Sequence, residues 1–301
     1  MMNSLFFTHE RRLRLGFRLA LAFVVYAICG ILREVAKLGM HAAGASRPVA
    51  MTLAAVLEIS AYLGATMVLR RRVDLRPWAG MALPPPAKGA RLFFLGGVLG
   101  TALLLVVVGI ELAARWIEVG RTDATTFAAY LVAGLAISLA VGFIEELLFR
   151  GYFLQNLGEE IPLWAATLLT GVFFAAIHML NGGFGVEYIV SAIAINTLFA
   201  LMRVLSGSLW LGIGFHAAWD WAQTLLVGLS VVNNPAQDHS LFRVAQHGPT
   251  WMVGDAPSIE GGLLFPMIFL LSIAGICGHA FLRGRPVGWR ARLGPEGTPV
   301  A

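Results

Sequence analysis

Long apolar runs alternate along the chain with short polar segments rich in arginine and lysine. Eight runs stand out, over roughly residues 17–32, 49–69, 91–113, 125–150, 162–180, 186–202, 208–230 and 261–282. A helix needs about 20 mostly apolar residues to cross ~30 Å of hydrocarbon. The pattern therefore predicts an all-α polytopic membrane protein of about eight transmembrane helices. Pro84, Pro85 and Pro86 close a basic loop and cannot sit inside a helix. Residues 231–260 read as a mixed polar loop carrying His239 and His247, with no role assigned. No fixed-period repeat and no inverted halves of the transporter kind are visible. The chain divides into one membrane-embedded domain, 1–282, and a tail, 283–301, whose Gly, Pro and Arg content predicts disorder against anionic headgroups.

Composition agrees. Of 301 residues, 58% are apolar without counting the 34 glycines, and 13% are charged. Ordinary soluble domains are about 45–50% apolar with glycine included and about 25% charged. A soluble enzyme and a secreted disulfide scaffold are thereby excluded. Cys29 and Cys277 lie within apolar runs and are given no function.

The net charge of +5 does not point to nucleic acid, because the basic residues cluster between apolar runs as topology signals do. With a cytoplasmic N-terminus, sixteen basic residues fall on the inner side and six on the outer. Both termini are therefore expected in the cytoplasm. Arg11, Arg12, Arg14 and Arg18 before the first run raise the question of a signal peptide. The cleavage-like Ala43-Gly44-Ala45 lies well beyond that run, so the first span reads as retained. The expected surroundings are membrane lipids, and Ala, Gly and Arg usage points to a bacterial cell (inner) membrane.

Ionisable groups inside spans are costly and mark function by default. The fourth span carries Glu145-Glu146-x-x-x-Arg150. Neighbouring residues on a helix point about 100° apart, so the two carboxylates cannot share one task. Glu146 and Arg150 are four residues apart and can pair, leaving Glu145 free to face a cavity. The fifth span ends with Phe174-x-x-x-His178, at a spacing that lets the ring pack under the imidazole. The seventh holds His216-x-x-x-Asp220, one turn apart on one face. Glu58, in the second span, reads as paired with a polar partner, and Asn196, in the sixth, as hydrogen-bonding glue between helices. If the fourth helix runs on to about Leu157, these groups can meet in the cytoplasmic half or near the midplane, with His178 the outlier in depth.

Two carboxylates, two histidines and an arginine converging in a membrane suggest hydrolysis. A carboxylate can take a proton from water as it attacks a carbonyl, and imidazoles can donate to the resulting oxyanion. Glu145, His178, His216 and Asp220 could instead hold zinc. The spacing leaves both readings open.

The three motifs, in this order, resemble the membrane protease family of CAAX prenyl endopeptidases and bacteriocin-processing or self-immunity proteins. The resemblance spans about residues 125–225. It implies an intramembrane endopeptidase in which Glu145 activates water and the histidines support the oxyanion, with Glu146, Arg150 and Asp220 completing the site. The cofactor is none or zinc. Asp220 stands where characterised members often carry Asn. The implied substrate is a protein or peptide reaching the cytoplasmic side of the bilayer. The rival reading is a non-catalytic scaffold, sensor, or immunity or transport accessory of the same fold.

Overall fold

The computed structural model describes residues 6–8, 12–121, 124–179, 186–229, 239–254, 261–284 and 286–300. Eight main helices follow the eight apolar runs. They are α1 (Leu15–Ala42), α2 (Arg47–Val68, extended by a π-helical turn over Leu69–Val73), α3 (Pro86–Ala113), α4 (Ala124–Glu145), α5 (Leu163–Met179), α6 (Val186–Ser206), α7 (Trp210–Trp221) and α8 (Leu264–Leu282). Among the described residues six, counted with their extensions, are long and apolar enough to cross a membrane: α1, α2, α3, α4, α6 and α8. The protein is an all-α polytopic membrane protein. Helix α5 is a shorter apolar helix. Helix α7 gains length from a π-helical stretch, Ala222–Val227, and stops at Gly228 in the left-handed conformation.

Helix α4 does not end at the paired glutamates. It continues through a π-helical stretch, Glu146–Phe153, and a last turn, Leu154–Gly158. This is the long fourth helix that convergence of the motifs requires. Helix α7 starts against α3 and α4, with Trp210 packed on Phe93 and Phe143, and carries His216 to Glu145. Helices α3 and α7 touch almost backbone to backbone, where Gly96 and Gly100 lie against the main chain of Leu211 and Phe215. Small residues permit this approach between membrane helices.

The lower end of α4 is held by polar bonds. The Tyr152 hydroxyl and Asn156 amide donate to the two oxygens of Asp74, at 2.9 and 3.1 Å. Arg18 donates to Asn156 Oδ1 at 2.6 Å, and Arg12 reaches both Glu159 (3.0 Å) and Glu160 (2.7 Å). Burial pushes the Asp74 carboxyl up. Burial also acts on Glu159, but Arg70, Gln155 and Arg12 outweigh it and hold that carboxyl below the ordinary glutamate range.

Two small antiparallel sheets, which the sequence does not predict, accompany the helices. Strand β1 (Ile117–Arg121), between the third and fourth apolar runs, pairs with β2 (Phe242–Gln246), inside the region read as a loop, with Ile117 opposite Gln246. Strands β3 (Arg292–Leu293) and β4 (Pro299–Val300) form a hairpin in the segment read as a disordered tail. There Leu293 is buried with Leu154, Leu163 and Ala200. The Leu163 and Trp164 amides donate to the carbonyls of Ala291 and Trp289. The apolar residues that dock the tail are too few to lift its composition out of the disordered class. Glu58 pairs with Arg33 at 3.1 Å, and Asn196 donates to the Thr167 carbonyl at 2.9 Å, both as the sequence suggests. The two cysteines are free.

Candidate active site

Glu145 is the last residue of α4 proper and Glu146 the first of its π-helical stretch. Such stretches inside α-helices are frequent at functional sites. Glu146 Oε1 accepts a hydrogen bond from Arg150 at 2.8 Å, with both side chains out of solvent. The Arg150 guanidinium lies between the rings of Phe174 and Phe199, 4.7 Å from each centroid. Each ring also backs a histidine. Phe174 lies 4.3 Å from the His178 ring, and Phe199 stacks on His216 at 5.2 Å. One cation thus braces both imidazoles through aromatic faces, which attract cations in a desolvated setting.

Both histidines turn toward Glu145. His178 Nδ1 lies 2.9 Å from the Phe174 carbonyl oxygen. A carbonyl can only accept, so Nδ1 bears hydrogen and the neutral ring presents Nε2 as an acceptor. That Nε2 lies 3.5 Å from Glu145 Oε1. His216 Nε2 lies 3.8 Å from Glu145 Oε2 and 3.6 Å from Asp220 Oδ2, while its Nδ1 lies 3.6 Å from Glu146 Oε1. The geometry sets Asp220 and Glu145 against one ring nitrogen and Glu146 against the other.

The six residues singled out in the sequence are brought together: Glu145, Glu146, Arg150, His178, His216 and Asp220. The two glutamates are differently placed. Glu145 keeps 21% of its side chain exposed and Glu146 only 1%. Among the described residues, Glu145 Oε2, Glu146 Oε2 and His216 Nδ1 are buried without a hydrogen-bond partner. The spacings of 3.5–3.8 Å exceed a direct hydrogen bond.

Two supporting residues escape the sequence reading. Phe199 bears no motif. Gly212, one turn before His216, faces Glu146, and a Cβ there would lie 2.8 Å from Glu146 Oε2. Gly212, His216 and Asp220 are spaced by four and share a face of α7, so that face carries the site. Among the described residues, no three His, Cys, Asp or Glu side chains are grouped to hold a metal ion.

Residues 127–222, spanning most of α4 through the start of the π-helical stretch after α7, match the family model of Rce1-like type II CAAX prenyl endopeptidases. The resemblance to CAAX proteases holds across this segment. The matched segment contains all six candidate residues. No curated protein matches the chain.

Proposed function

We propose that this protein is an intramembrane endopeptidase in which Glu145 is the general base. The observation that carries the reading is the placement of one partly exposed carboxylate between two imidazoles, with Nε2 of His178 and of His216 on its two oxygens. A water held against Glu145 lies within reach of His178 Nε2, which the Phe174 bond leaves as an acceptor. Glu145 takes the proton as the water oxygen attacks the peptide carbonyl. The developing oxyanion is met by an N–H of His216, and a low-dielectric site strengthens that bond. Glu146 and Asp220 set the orientation of His216, and Arg150 neutralises Glu146. The proton on Glu145 then passes to the leaving amine.

In this reading both termini and the lower end of α4 face the cytoplasm, as the distribution of basic residues favours. The substrate is a protein or peptide that reaches the site from that side, and the host membrane is a bacterial cell membrane. An apolar cavity of about 520 Å³, lined by Leu19, Phe23, Phe153, Leu157 and Phe173, flanks the site behind Phe149 and suits an apolar stretch of substrate. Comparison of membrane proteomes from cells carrying wild type and Glu145→Ala tests the function. Uncleaved precursors accumulate in the variant if the reading holds, and identical peptide termini in both strains refute it.

A further inference from the structure

The end of the bundle away from the β1–β2 ribbon gathers arginines, and one of them makes no direct ion pair among the described residues, with Glu159 reaching it only across Gln155. Arg203, at the end of α6, is 2% exposed. Its NH2 donates to two neutral acceptors, the Gly80 carbonyl at 2.9 Å and Gln155 Oε1 at 2.6 Å. Its Nε and NH1 have no hydrogen-bond partner, and no carboxylate lies within ion-pair distance, among the described residues. Arg70 approaches the same glycine, and its NH2 is shared between Glu159 at 2.7 Å and the Pro295 carbonyl at 2.9 Å. Arg70 NH1 makes no hydrogen bond and faces Asp74 Oδ2 at 3.6 Å, so Arg70 carries two carboxylate neighbours where Arg203 has none within ion-pair distance among the described residues.

The C-terminal hairpin covers both guanidinium groups. It meets this polar seat through neutral backbone carbonyls, Pro295 on Arg70 and Gly294 on Gln155 (2.8 Å), with Gly297 packed beside Arg203. An unpaired charge out of water is costly, and guanidinium bonds to an anion are about twice as strong as bonds to a neutral acceptor. Basic pockets between helices at a membrane face take lipid headgroups for this reason.

We propose that Arg203, beside Arg70, forms a seat for a phosphate group beneath the C-terminal hairpin. The phosphate comes from an anionic lipid headgroup or from free inorganic phosphate. This site lies outside the proposed hydrolytic centre and stands or falls independently of it.

Native mass spectrometry of the full-length protein in detergent tests the seat, with phosphatidylglycerol, phosphatidylcholine and inorganic phosphate as probes. Wild type retains phosphatidylglycerol in preference to phosphatidylcholine, and Arg203→Gln binds it at least tenfold more weakly, whereas Arg203→Lys keeps most of the affinity. Competition by inorganic phosphate identifies a free anion as the source, and its failure to compete identifies the lipid. Thermal unfolding without phosphate supplies the second readout. Arg203→Gln is then at least as stable as wild type, because a buried unpaired charge is gone. Equal lipid retention by wild type and Arg203→Gln overturns the proposal. So does a marked loss of stability in phosphate-free Arg203→Gln, which would make Arg203 a structural donor to Gly80 and Gln155.

Discussion

Glu146 and Arg150 form an ion pair of 2.8 Å that solvent does not reach, while Glu145, the preceding residue, keeps a fifth of its side chain open. Adjacent carboxylates thus sit in different surroundings, one paired inside the fold and the other partly open.

Arg150→Ala strands the Glu146 charge and removes the cation between Phe174 and Phe199. Breaking a buried pair by deleting one partner costs about 3–5 kcal/mol. The variant is expected to unfold at a clearly lower temperature, while Glu146→Gln/Arg150→Gln recovers part of the loss. Thermal unfolding in detergent measures both, and an unshifted Arg150→Ala transition contradicts the structural role of the pair.

Gly212→Ala places a methyl group against Glu146 Oε2, where 2.8 Å is too short for a carbon contact. The carboxylate must move, and His216 Nδ1 with it loses its neighbour at 3.6 Å. Turnover is expected to fall on the order of 10²-fold, the scale for disturbing one oxyanion donor, with substrate binding little changed. Steady-state kinetics on the substrate found by proteomics separates the two effects.

Acid is expected to loosen the lower end of α4 through Glu159. Its carboxyl titrates below the ordinary value in the folded state, so its contribution is fully present above about pH 4.3 and is lost as pH falls through the folded value. Asp74 has the opposite sign, since burial raises it and the folded state gains from protonation. Glu159→Gln should therefore flatten the acid limb of a stability-versus-pH curve. An unchanged limb rules out Glu159 as its source.

The motifs were legible because each is local. Residues spaced by four share a helical face, so Glu146–Arg150, Phe174–His178 and His216–Asp220 are readable without a fold. Their convergence was legible only in part, on the condition that α4 runs on to about Leu157, and His178 stood out of depth. What the sequence hides acts between helices. Phe199 matters only because α6 sets it between Arg150 and His216, and Gly212 only because α7 crosses Glu146 there. The acceptor state of His178 Nε2 depends on a backbone carbonyl, which every residue possesses and no motif records. The anchoring of α4 joins residues up to 148 positions apart, such as Arg12 and Glu160. The tail hairpin relies on Leu293 meeting a pocket built by the last turn of α4 with α5 and α6, a match that composition cannot express.

Topology follows from the same charges. Reporter fusions after residue 290 are expected to read cytoplasmic and fusions within 231–260 external, given the excess of basic residues on one side. The opposite pattern reverses the face from which substrate enters.

The central claim is that Glu145 activates water without being part of what holds the fold together. The measurement that bears on it most directly is turnover of purified Glu145→Gln beside its unfolding temperature, with chelator-treated wild type assayed in parallel. Loss of a positioned general base is expected to reduce turnover on the order of 10²–10⁴-fold with the transition temperature unchanged, and chelation to leave wild-type turnover intact. Full activity in Glu145→Gln, or activity abolished by chelation and restored by zinc, would contradict the account.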